Sequence, residues 1–82
     1  MAGSFVLQRR LNELAGTTDV SAQGAANAWA GTTGLALLGA LNAKARSRGV
    51  IGATDTLDLD GVCNKLGGTT GKSAVAALEA AV

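Results

Sequence analysis

The stretch "ANAWAGTTGLALLGA", Ala26 to Ala40, decides how this chain is read, because it recurs. It follows "LNELAGTTDVSAQGA", Leu11 to Ala25, and leads into "LNAKARSRGV", Leu41 to Val50, which keeps the register with a degenerate connector. A further copy, "CNKLGGTTGKSAVAA", runs from Cys63 to Ala77. Asn12, Asn27 and Asn42 are 15 residues apart, and Asn64 follows Asn42 by 22, one period plus seven. A fixed period marks a chain built from one repeated supersecondary unit. Residues 1–82 read as a single small helical-repeat domain with an insertion loop at about 46–56.

With Val20, Leu35 or Leu57 as position one, apolar residues recur at positions three, six, seven and ten. They are Ala22, Ala25, Ala26 and Trp29 in one copy, Leu37, Ala40 and Leu41 in the next, and Leu59, Val62, Cys63 and Leu66 in the fourth. Spacing of i, i+3, i+4, i+7 is the stripe of an amphipathic helix. Each unit is therefore one helix of about eleven residues, roughly 16 Å long. Between units, Gly16, Gly31 and Gly67 or Gly68 suit the left-handed turn that ends a helix. A connector Thr, or Asp19, suits the cap that starts the next. The expected fold is all-α: five short helices, about Phe5–Ala15, Val20–Ala30, Leu35–Ala45, Leu57–Leu66 and Lys72–Ala81. GTT[DG] turns join them into a compact bundle or a short solenoid.

Position five holds Gly24, Gly39, Gly61 and Ala76, inside the helix, where Gly costs up to about 1 kcal/mol relative to Ala. Each of these glycines lies three residues before an Asn: Gly24 before Asn27, Gly39 before Asn42, Gly61 before Asn64. The pairing predicts a neighbouring backbone passing over the Gly, with the Asn amide satisfying backbone groups of an adjacent connector. The functional alternative is an Asn row that binds a ligand such as a glycan.

"GGTTGKS", Gly67 to Ser73, resembles a phosphate loop, but Leu66 stands where that motif requires its first Gly. The segment before it reads as a helix and not as the required strand, so the stretch is another connector copy. Lys72 and Ser73 are sequence neighbours, which do not face each other on a helix.

The composition narrows the function classes. The chain has one cysteine, Cys63, and no histidine, which removes the usual metal ligands and His-based catalysis. Hydrophobic residues make up 48% of the chain, but 17 are alanine, so the core is thin. A net charge of +1 gives no field for nucleic acid or an anionic membrane. No apolar run approaches the roughly 20 residues of a membrane span, and the start lacks the pattern of a secretory signal. No enzyme, cofactor or metal site is expected, and synthesis and retention in the cytosol are.

Among single residues, Trp29 stands where other copies carry Leu14, Lys44, Leu66 and Ala81, the place of a core filler or, if exposed, of a partner anchor. Cys63 aligns with Ala26, Leu41 and Leu78, as a buried small hydrophobe would. Arg9, Arg10, Lys44, Arg46 and Arg48 are the candidate contacts to an acidic partner surface. The last three also suit the negative end of helix three. Asp55, Asp58 and Asp60 suit the positive start of helix four, so copies of the chain could also pair basic end to acidic start.

The "LAGTTG" units and "AANAWAGTTGLALLGALNAKA", well matched over Leu11 to Ala45 and less so over Leu57 to Leu78, resemble small repeat-bearing virion proteins and modules of tailed phages of actinobacteria. The resemblance breaks at Arg46 to Thr56. It implies a virion location and a structural role, as a minor or accessory capsid protein docking by its helix faces on phage structural proteins or on itself. A tail or neck component is the neighbouring alternative. A binding module for host cell-wall glycan or a host protein, read by the Asn row or Trp29, is the alternative of a different class.

Overall fold

The computed structural model describes residues 2–81, with side chains from Val6 onward. Its described residues form five helices and no strand: α1 (Ala2–Ala15), α2 (Ala22–Ala30), α3 (Leu37–Arg48), α4 (Leu59–Gly67) and α5 (Ala74–Ala81). None of the helices is long and apolar enough to cross a membrane.

Helices α2 to α5 begin two residues later than the stripe alone predicts, and the reason is local. Val20, Leu35, Leu57 and Lys72 each have both backbone polar groups bonded to the side chain of an upstream Asn, so none can join the helix that follows. The N-caps are consequently Ser21, which accepts from the Gly24 N–H, and Asp58, which accepts from the Gly61 N–H. Ala36 caps α3 without a side-chain bond. The connector threonines and Asp19 do not cap. Asp19 instead adopts a left-handed backbone (φ 57°) in the place that Gly34 and Gly71 take in the other copies.

The helix ends follow the expected chemistry. Gly31, Gly49 and Gly68 close α2, α3 and α4 in the left-handed conformation, in which an L side chain would be strained. Helix α3 runs three residues beyond Ala45 and takes in Arg46, Ser47 and Arg48, so the insertion starts at its Gly49 cap.

Each helix packs on its chain neighbours, and α1 also packs on α5, which closes the five into a circuit. The radius of gyration, 11.3 Å, is close to the roughly 11.7 Å expected of a compact chain of this length, so the arrangement is a closed bundle and not an extended solenoid. Positions six and seven of the unit fill the middle: Ala25, Ala40, Val62 and Ala77, and then Leu11, Ala26, Leu41, Cys63 and Leu78, are all fully buried. So many small side chains force the backbones close together. The closest approach is at Gly67, where an added Cβ would lie 2.2 Å from the Ala77 carbonyl oxygen.

The glycines at position five have a different surrounding from the one expected. What lies over Gly24 is the Val20 side chain, with the Ser21 hydroxyl; over Gly61 it is Asp58 and Leu57, and over Gly39 it is Leu35 Cβ at 3.7 Å. These are the cap and the residue folded back four positions earlier, not a neighbouring backbone.

Two alanine substitutions separate the cases. Gly67→Ala must push α4 and α5 apart and is expected to cost about 1–3 kcal/mol. Gly39→Ala meets only ordinary contact and is expected to stabilise by up to about 1 kcal/mol. Thermal unfolding of both variants reads the difference, and opposite signs are the expected outcome.

Candidate functional site

The repeated polar feature of the fold is a row of four buried asparagines, Asn12, Asn27, Asn42 and Asn64, all under 10% exposed. Each reaches out of its own helix to the segment that follows it. Asn27 shows the full pattern. Its Nδ2 donates to the carbonyls of Gln23 and Leu35, both at 2.8 Å, and its Oδ1 accepts from the Thr32 hydroxyl at 2.8 Å and the Leu35 N–H at 3.1 Å. Asn12 does the same with Gln8, Val20 and Thr17, and Asn64 with Asp60, Lys72 and Thr69. An amide has two donors and one oxygen with two lone pairs, and all four are used.

The first connector Thr completes this clamp twice over, since the Thr17, Thr32 and Thr69 N–H groups also donate to the main-chain carbonyl of the same Asn. The third copy is altered. Asn42 holds Leu57, 15 residues on, through its N–H at 2.8 Å and its carbonyl at 3.0 Å, with no threonine hydroxyl on Oδ1. Arg46 supports the returning segment instead: its Nε donates to the Asp55 carbonyl and its Nη2 to the Thr56 hydroxyl, both at 2.8 Å.

The remaining candidates are dispersed. Trp29 is half-buried against the core, with Lys44 Nζ 5.2 Å from its ring centroid, a cation–π contact between α2 and α3. Arg9 is exposed; Arg48 donates to the Leu66 carbonyl at the end of α4. Arg10 pairs with Glu13 and with Glu79 on α5. Of the acidic residues, Asp58 caps α4, and Asp60 Oδ1 accepts from the Ala74 N–H at 2.9 Å to start α5. In the "GGTTGKS" stretch, the Gly68, Thr69 and Lys72 N–H groups all point into Asn64 or the end of α4, so they cannot line a phosphate cradle. Cys63 is fully buried, and burial, with a smaller contribution from Asp60, pushes its thiol up to about 12.

Three contributions escaped the reading of the sequence. Asn12 has the same role as the other three, signalled by its 15-residue spacing. The cap from Asp60 to α5 spans 14 residues and has no local signature. Glu79 stands 15 residues after Asn64, in the clamp position of the last copy. Comparison with models of protein families, with curated proteins and with solved structures finds no match for this chain.

Asn27→Asp keeps the shape of the clamp and removes its two donors, leaving the Leu35 carbonyl unmatched, while the Gln23 carbonyl keeps its bond within the helix. The expected loss is roughly 1–3 kcal/mol. A carboxylate held against two carbonyls has its folded pKa raised, so the variant should regain stability as pH falls through that raised value, with the gain complete near the ordinary Asp value of about 3.9. Chemical denaturation at neutral and acid pH measures both effects. For Cys63, thiol reagents at neutral pH should react only as fast as the bundle opens, and labelling kinetics across a denaturant series check this.

Proposed function

We propose that the chain is a non-enzymatic structural protein of a phage virion, a minor or accessory capsid component that docks on a larger assembly through its helix faces. The observation that carries the reading is the Asn row. The chemically capable side chains that the repeat multiplies are all bonded to the chain's own backbone, so what the repeat builds is a braced scaffold. A scaffold of this kind offers its exterior, and on that exterior Leu35 and Leu38 are large hydrophobics that remain 38% and 37% exposed at the start of α3. Their counterparts one repeat earlier are Val20 and Gln23. Docking partners in this reading are phage structural proteins or further copies of the chain, without nucleic acid, membrane, metal or cofactor.

A glycan-reading module would need free amides beside an open aromatic face. The four Asn amides are engaged, and Trp29 is half-buried with Lys44 over its ring, which weighs against that alternative. A tail or neck position uses the same scaffold and is distinguished by location alone.

Mass spectrometry of gradient-purified particles of the encoding phage, with heads and tails separated, tests the reading. Recovery in the head fraction at a fixed copy number is the expected result, recovery with tails moves the protein there, and absence from both overturns the proposal. Leu35→Asp together with Leu38→Asp should abolish binding of the purified chain to particles lacking it. Its unfolding free energy should stay within about 0.5 kcal/mol for each change, as for surface sites.

A further inference from the structure

The closed circuit of helices has two weak junctions, and they lie on opposite sides of it. One is α3 against α4, the smallest of the five helix contacts, bridged by the long insertion and by the only clamp without a threonine. The other is α1 against α5, the next smallest, which no connector ties. Between them the chain falls into two better-knit parts, α1–α3 and α4–α5.

The α1/α5 seam departs from the repeat on both of its faces. Position six is a fully buried Ala25, Ala40, Val62 or Ala77 in the other helices; in α1 it is Arg10. Position eight is the clamp Asn in α1 to α4; in α5 it is Glu79. A carboxylate can only accept hydrogen bonds, so Glu79 cannot hold both polar groups of a following connector as Asn does. What it holds is Arg10, at 3.3 Å, with the Glu79 side chain about half exposed. The pair does not satisfy the whole guanidinium, since Arg10 Nε is buried with no hydrogen-bond partner among the described residues.

We infer that the α1/α5 seam is an exchangeable interface between two copies of this chain. In the exchange, the insertion at Gly49–Asp58 opens as a hinge, the α4–α5 pair of each copy leaves its own α1, and it packs on the α1 of the other. The seam formed between copies has the same contacts as the seam within one copy, including the Arg10–Glu79 pair. Swapping identical elements therefore has little intrinsic cost, and concentration decides between the two forms. Two seams related by a two-fold axis close the dimer, and the charged pair fixes which ends meet. The inference goes beyond the virion reading and does not require it.

Charge reversal tests it. Arg10→Glu and Glu79→Arg, prepared as separate chains, each place like charges across their own seam. Mixed, the reversed residue at position 10 of one chain meets the reversed residue at position 79 of the other, and the two native residues meet at the second seam. The expected result is a species of twice the single-chain mass in the mixture and in neither variant alone, with the double variant R10E/E79R behaving as the wild type. If the separate variants lose helicity, the mixture is expected to regain it together with the doubled mass. A mixture that stays at single-chain mass, or stays unfolded while the double variant folds, overturns the inference. The wild-type chain gives a second readout: its mass should rise from one chain toward two with concentration. A single-chain mass at every concentration also overturns it.

Discussion

The structure depends on one side-chain amide used the same way four times. In a helix this short, the last carbonyls and the first N–H groups of its successor are a large share of all backbone polar groups, and burying them unpaired would cost more than the small core returns. An Asn near the helix end answers this with a single residue. It takes the carbonyl four residues back, and it holds both polar groups of the residue that begins the next unit. The geometry of the turn is thereby set from the side, by a buried and fully satisfied group. Leu, the isosteric apolar choice, would fill the space and leave the two polar groups of that first residue unmatched.

The core then explains why the clamp has to be so strict. Among the described residues its fully buried side chains include no aromatic, and five alanines sit at zero exposure. Alanine contributes little area, so helices gain contact here only by lying close together, and Gly67 against the Ala77 carbonyl is where the approach reaches its limit. Close packing of backbones tolerates little error in the angle between helices. Connectors with one left-handed Gly at each helix end, a second left-handed residue at Asp19, Gly34 or Gly71, and an Asn holding the exit supply that angle repeatedly.

Much of this was legible in the residues. The 15-residue spacing of Asn12, Asn27 and Asn42 exposes the unit, and the stripe at positions three, six, seven and ten identifies helices and their inward faces. Gly31 and Gly68 mark two of the ends. What was not legible was the division of labour within the connector. A Thr before a helix ordinarily suggests a cap, yet Thr17, Thr32 and Thr69 turn backward to the Asn they follow. Val20, Leu35, Leu57 and Lys72 are good or neutral helix residues kept out of the helix only because a distant amide holds their backbone. Such bonds span eight residues, or 15 around the insertion, and intrinsic propensity carries no trace of them. The position-five glycines misled for a similar reason, since their surroundings come from residues three and four positions earlier and not from a neighbouring helix.

The same logic bears on the ends of the array. Every repeat protein must finish its first and last units, because each has one face with no neighbour. A solenoid does this with polar capping units. Here the fifth helix turns back onto the first, so the two unfinished faces cover each other. That solution places two non-repeating surfaces in contact, and the residues there are free to depart from the unit: a guanidinium where the others bury an alanine or a valine, and a carboxylate where the others carry the clamp. Charge in those two positions makes the closing contact directional while leaving it the one junction held by neither connector nor amide. A chain whose repeats are fastened to one another by connectors and amides, and whose ends meet by side-chain packing and an ion pair alone, has its least restrained junction at that seam.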